Sequence, residues 1–236
     1  MLLRLSHLWH KLLKHLSFRC QNQTREIKTM ARPREFDEAA VLDAAIDRFW
    51  RHGYEATSVR DLADEMNIAG ASLYNAFGDK RSLYERSLNR YLDQTFRERI
   101  RRIESSLPPR EAIIAFLQEI IKRSVTDKQR RGCLLVNSAI ESAPHDPQFL
   151  DIVATFLSEV EAFFLRCISK GQNEGTISRA HSAADLSKSL LGILLGIRVL
   201  ARVRPQRKLL EGLVRPVFGL LDGTDAVARQ KVRSAR

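Results

Sequence analysis

The sequence predicts an all-α protein, an N-terminal three-helix unit with a helix-turn-helix followed by a larger helical domain. Two observations predict it. From Phe36 to Leu221 apolar residues recur at three- and four-residue intervals, the period of a helix face, and Gly or Pro stands where the pattern stops, at Gly53, Pro108, Pro144 and Gly175. Within that run, Ser58 to Lys80 reads as two short helices about a tight turn.

Ser58 or Thr57 can cap the first of these helices, and Val59, Leu62, Ala63 and Met66 give it one apolar face. Asn67 to Gly70 supply the turn, with Ile68 as an apolar plug, and Leu73 and Phe77 carry the core side onto the second helix. In such a unit the second helix lies in the major groove with its N-terminal residues at the base edges, here Ala69, Gly70, Ala71, Ser72 and Asn75. Small side chains there allow close approach. Phosphate contacts are expected from Arg32 and Arg34 in an N-terminal arm, from Thr57, Ser58 and Arg60 at the start of the first helix, from Lys80, and from backbone N–H groups at helix N-termini.

The stretch Leu73-Tyr74-Asn75-Ala76-Phe77-Gly78-Asp79-Lys80 resembles the recognition-helix motif of the tetracycline-repressor-like (TetR) family. The resemblance extends upstream through Phe36 to Ala45 and through Phe49 to Ser58, which is similar to that family's first helix and its Gly-Tyr/Phe-x-x-Thr turn. It implies that Tyr74 and Lys80 anchor phosphates beside the recognition helix, and that the C-terminal domain encloses a small-molecule pocket.

The first helix is expected to be capped by Asp37, with Phe36 and Val41 as a hydrophobic staple and Val41, Leu42, Ala45, Ile46 and Phe49 as its stripe. A long fourth helix should start at Asp79 or Lys80 and run through Leu83, Leu88, Leu92, Phe96, Ile100 and Ile103 to Pro108. Linking the two domains, it is the expected transmission element. These limits give a reading domain at 30–80 and a ligand-binding and dimerisation domain at 81–222, ending in a basic, disordered tail at 223–236.

In the second domain the expected pocket lining is Phe116, Ile120, Cys133, Val136, Asn137, Ile140, Phe156 and Phe163, on stripes that ordinary packing also produces. Asn137 needs partners for its amide, from a ligand or from a neighbouring helix. Cys133 follows Arg130, Arg131 and Gly132 at a helix start, surroundings that lower a thiol pKa, so sensing of oxidants or electrophiles stays open beside an inert buried role. The long helix beginning at Asp146-Pro147 should end at Gly171 and Gly175. The last two helices read as a dimer bundle through Leu190, Gly192, Ile193, Gly196, Ile197, Leu213 and Val217, and Pro216 is expected to kink or interrupt the second of them.

The chain of 236 residues carries a formal net charge of +11, yet Met30 to Lys80 holds six Lys or Arg against ten Asp or Glu. The basic excess lies in residues 1–29 and 198–236, so bulk charge is no argument for DNA; local placement is. Residues 1–29 are expected to be upstream sequence, disordered or not translated, with a membrane-surface helix as the alternative. Three widely spaced cysteines without a Cys-x-x-Cys pair argue against disulfides and zinc, and the six histidines form no ligand pattern. No metal, cofactor or membrane span is expected, and no nucleophile–base pair, paired carboxylates or phosphate loop supports an enzyme. The expectation is a cytoplasmic, homodimeric transcriptional regulator, a repressor released from a near-palindromic double-stranded DNA operator by a small-molecule effector. An activator or dual regulator stays open beside it.

Overall fold

The computed structural model describes residues 36–141 and 146–222, and every regular element among them is helical. Expectations for residues 1–29, for Arg32 and Arg34, for Pro144 and for the 223–236 tail lie outside the described residues. The helices are α1 (Glu38–His52), α2 (Val59–Met66), α3 (Gly70–Phe77), α4 (Lys80–Leu92), α5 (Glu98–Ser106), α6 (Pro109–Thr126), α7 (Leu134–Glu141), α8 (Pro147–Asn173), α9 (Ala183–Val203) and α10 (Arg207–Leu221).

The caps form as the residues dictate. The Asp37 carboxylate accepts from Ala39 N at 2.9 Å to start α1, and the Phe36 ring stacks on Phe77 with centroids 6.3 Å apart. Ser58, rather than Thr57, caps α2 in a full capping box with Asp61, and Asn67 closes that helix in the left-handed conformation at φ 52°. Asp79 caps α4 by accepting from Ser82 N at 2.7 Å. Buried Leu42, Ala45 and Phe49 of α1, Leu62 of α2, Leu73 and Phe77 of α3 and Leu83 and Leu88 of α4 share one core. That core continues without a break into the second domain through Tyr84, Tyr91, Leu92 and Phe96, so the expected boundary near residue 80 is crossed by packed side chains.

The fourth helix differs from expectation in one turn. Between α4 and α5, Asp93–Arg97 is π-helical. Leu88, Leu92, Phe96 and Ile100 are all buried and spaced by four residues. At 100° per residue each such step overshoots a full turn by about 40°. The wider π turn takes up that drift and keeps Phe96, against Phe156 at 5.0 Å, on the inward face.

The C-terminal helices surround α8, whose Phe156, Val160, Phe163, Phe164 and Ile168 are buried. Gly171 does not end this helix, which runs on to Asn173; a Cβ at Gly171 would lie 2.6 Å from the Ile177 side chain, so its role is close packing. Gly175, at φ +72°, marks the turn after the helix. Pro216 does not interrupt α10, which continues through it from Arg207 to Leu221.

The expected dimer residues divide between two faces. Leu190, Ile197 and Val217 are buried within the protomer, so those three pack the chain's own core. Gly192 is exposed and Gly196 half-buried, both with nothing within 4 Å of an added Cβ, and Val199 and Val203 on the same helix are 46% and 65% exposed. Ile193 and Leu213 are half-buried between these faces. An all-round apolar helix gives no signal of which stripe faces inward, so periodicity alone does not separate core from interface.

Hydrogen bonds from the Ser58 hydroxyl and backbone hold the Asp61 carboxyl below its ordinary 3.8, and Ser82 does the same for Asp79, chiefly through its backbone N–H. A carboxyl depressed in the folded state contributes stability that is full above its ordinary pKa and is lost as pH falls through the lower folded value. Urea unfolding followed between pH 6 and 2 should therefore show an acid loss that shrinks in Asp61→Asn and Asp79→Asn; an unchanged acid limb in both variants would reject the capping account.

Candidate nucleic-acid interface

Two eight-residue helices, α2 and α3, carry the candidate DNA surface. Leu73 and Phe77 pin the back of α3, 2% and 5% exposed. Ala69, Ala71, Tyr74 and Asn75 are exposed on its other side, while Gly70 and Ser72 are half-buried. No side chain caps the N-terminus of α3 at Ala69, so it presents backbone N–H groups outward, and a Cβ at Gly70 would meet nothing within 4 Å. Such an end attracts phosphate, and its short side chains let a base edge come close.

The flanking residues fall into two groups. Ser58 is exposed beside its cap, and Arg60 is 91% exposed at its side chain, only 3.8 Å from Asp64. Thr57 differs from expectation: it is 1% exposed, and its hydroxyl donates to Gly53 O at 2.7 Å, bracing the turn before α2 rather than facing outward. Lys80 is half-buried at the start of α4; its Nζ donates to Tyr54 O at 3.0 Å and lies 4.1 Å from the Tyr54 ring centroid. One of its three N–H donors is thereby used, and two remain for other acceptors.

In the second domain the residues expected to line a pocket are packed together. Phe116, Ile120, Val136, Phe156 and Phe163 are buried, and the Phe116 ring sits 5.1 Å from Phe163 and 5.6 Å from Phe164. Ile140 is 68% exposed and faces away from the core. The Asn137 amide is satisfied by the chain itself, donating to Arg131 O at 3.1 Å and accepting from Arg202 Nη1 at 3.1 Å. Cys133 is 1% exposed and accepts a hydrogen bond from Tyr91 Oη at 3.7 Å. Burial pushes the Cys167 thiol up to about 12, so it stays protonated at neutral pH.

A cavity of about 380 Å³ opens elsewhere, where α1, α4, α6 and α9 meet the 127–132 loop. Trp50, Tyr91, Ser124, Arg131 and Arg198 are in its wall, none of them among the expected pocket residues. Arg131 joins it to α1: the Trp50 Nε1–H donates to Arg131 O at 3.2 Å, Arg131 Nη1 donates to Asp47 at 3.0 Å, and its guanidinium lies 4.2 Å from the Trp50 ring. The sequence signal for this cavity was Arg198, an arginine inside the apolar run from Leu186 to Val203.

Comparison with known proteins agrees with this geometry. Residues 41–86 match the family model described as bacterial regulatory proteins, tetR family, and residues 109–216 match the tetracyclin repressor-like C-terminal domain. The chain belongs to the TetR family. It is similar to YezE of Bacillus subtilis (strain 168), an uncharacterized HTH-type transcriptional regulator, at 30% identity over 82% of this chain and 100% of that one. The repressor ComR of Escherichia coli (strain K12) is 27% identical over 74% of this chain and 84% of its own. Among solved structures, the TetR-family regulator CifR in complex with 26-bp operator DNA superposes with a TM-score of 0.71 at 31% identity, over 79% of this chain and 98% of that one. Among the described residues no helix is long and apolar enough to cross a membrane, and no cluster of His, Cys, Asp and Glu could hold a metal ion.

Removal of one phosphate contact should differ from removal of one base contact. Lys80→Ala is expected to weaken binding to all sequences alike and to reduce the salt slope by about one. Asn75→Ala is expected to relax preference at one operator position at about 1–3 kcal/mol and to leave the slope unchanged. Mobility assays over a salt series check both, and an unchanged slope for Lys80→Ala would remove it from the phosphate set.

Proposed function

We propose that this chain is a cytoplasmic, sequence-specific DNA-binding transcriptional regulator that represses as a homodimer and is released from its operator by a small-molecule effector. The observation that carries the reading is the exposed, uncapped N-terminus of α3, with Ala69, Ala71 and Asn75 outward and Leu73 and Phe77 fixing the helix from behind. Similarity to CifR, solved on operator DNA, and to ComR, a repressor, supports both the ligand and the sign of regulation. The reading assigns no catalytic step to any residue.

A dimer is supported by the outer face of α9 and α10. Gly192, Gly196, Val199 and Val203 follow one another at helical spacing on α9, and Gly212, Gly219 and the 43% exposed Leu220 lie on α10, with open space beside all four glycines. Glycines let partner helices approach closely, and a two-fold pair of reading heads matches a near-palindromic operator.

Because a Cβ at Gly196 meets nothing within 4 Å in the protomer, a substitution there is expected to report on the partner. Gly196→Leu should weaken the dimer by about 1–3 kcal/mol per overpacked contact and lower operator affinity with it, while helix content holds or rises. Sedimentation and operator binding measured on one preparation decide the matter. A tight dimer with normal affinity would place the interface on another face, and a tight dimer that no longer binds DNA would assign this face to transmission within the protomer.

A further inference from the structure

Arg99 and Arg198 are both buried arginines near Phe96, but they are compensated differently. Arg99 reaches the Glu119 carboxylate at 3.1 Å. Arg198, 8% exposed, has no carboxylate partner among the described residues: its Nη1 donates to Ser124 Oγ at 3.2 Å, its guanidinium lies 5.7 Å from the Phe96 centroid with the Tyr91 hydroxyl and the Cys133 thiol as its other polar neighbours, and its buried Nε makes no hydrogen bond. A guanidinium cannot shed its proton to escape burial, and a buried cation without an anion is costly. The Arg198 side chain forms part of the wall of the cavity of about 380 Å³, together with Arg123, Lys128 and Arg131. Asp127, the acid in that wall, is occupied by the backbone N–H groups of Gln129 and Arg131 at 3.2 and 2.8 Å.

We propose that this cavity is the effector site and that it takes a small organic monocarboxylate, its carboxylate on Arg198 and its apolar body against Trp50, Tyr91 and Ala201. The proposal rests on the reading of the chain as an effector-responsive DNA binder and names the chemistry of that effector. Planar guanidinium donors suit a carboxylate bidentately. The aromatic and methyl walls favour an anion with a hydrocarbon part over inorganic phosphate, which would gain nothing from them. The occupant would press on the same Trp50 and Arg131 that hold α1, so its binding and the position of the reading helices are coupled.

The test uses the full chain, with benzoate as the carboxylate, benzamide as its neutral isostere and inorganic phosphate as the purely ionic control. Isothermal calorimetry should give saturable benzoate binding, at least tenfold weaker binding of benzamide and of phosphate, and at least a tenfold loss of benzoate affinity in Arg198→Met, with part recovered in Arg198→Lys. In a Trp9→Phe background, benzoate should also change the emission of Trp50. Equal binding of benzoate and benzamide, no saturable benzoate binding, or full benzoate affinity in Arg198→Met would overturn the site. Tighter phosphate than benzoate would overturn the hydrocarbon part of the ligand. The benzoate–benzamide comparison is made on the unaltered protein and does not depend on a variant folding. Operator binding without ligand is measured separately, so failure of the DNA reading and failure of the anion site are told apart.

Discussion

Short reading helices cannot hold their own geometry, and the rest of the molecule is arranged around that constraint. With eight residues each, α2 and α3 fall below the length at which a helix is stable alone in water, about 12–15 residues. Each buries only two side chains fully, Leu62 and Ala63 on one and Leu73 and Phe77 on the other. Their fixed geometry comes from α1 and α4. Phe49 meets Tyr84 edge to face at 4.7 Å, Arg86 pairs with Glu38 and donates to Ala76 O, and Arg90 grips Asp43 at 2.6 Å. The attitude of the recognition helix is therefore set by α4, whose other face belongs to the second domain.

That second face is fastened at two places on either side of the end of α1. At one, Tyr54 and Tyr84 both lie 5.1 Å from Phe149, and the Glu141 carboxylate accepts from Glu55 N at 3.2 Å. Gly53 is required there twice over: its φ is +82°, and a Cβ would stand 2.6 Å from the Glu141 carboxylate. At the other, Arg131 holds Trp50 and Asp47. The Glu141 and Arg131 contacts come from α7 and the loop before it, and the Phe149 contacts from the first turn of α8. A ligand moves the reading head only to the extent that it binds one arrangement of this segment better than another. The cavity lies beside the Arg131 fastening, which is where a small difference in contacts acts directly on α1.

Local rules made most of the reading unit legible. Asp37 caps α1 as expected, Ser58 is the one of its pair with Thr57 that caps α2, α4 starts at Lys80, the stripes of α1 and α4 are buried, and the turn sits at Asn67. What the pattern could not supply was what stands across from each stripe. Periodicity marks Phe116, Phe156 and Phe163 as inward, but whether an inward ring meets another ring or a ligand depends on contacts far along the chain. The same limit hides from the sequence that Leu190 and Ile197 are core and that Ile140 is 68% exposed. The most informative residue for the cavity, Arg198, is in sequence only a charge within an apolar run. Its burial could be known only once α6 and α9 were seen to pack together.

The distribution of charge bears on how such a protein holds DNA. Arg48 and Arg51, basic residues of α1, are committed to Glu65, with further contacts to Asp61 and Asp47. Arg86 and Arg90 on α4 are committed to Glu38 and Asp43. Cations spent on internal ion pairs release few counterions from DNA, because they are already neutralised in the free protein. Among the described residues of the reading unit, Arg60, whose pair with Asp64 is long and exposed at 3.8 Å, and Lys80, which bonds a backbone carbonyl, are the least committed side-chain cations. With so few uncommitted cations among the described residues of the reading unit, this surface relies more on the fit of a rigid α3 than on charge. A rigid second domain that fixes the head through α4 is thus a condition of sequence-specific binding, and the same fixation is what an effector would have to disturb.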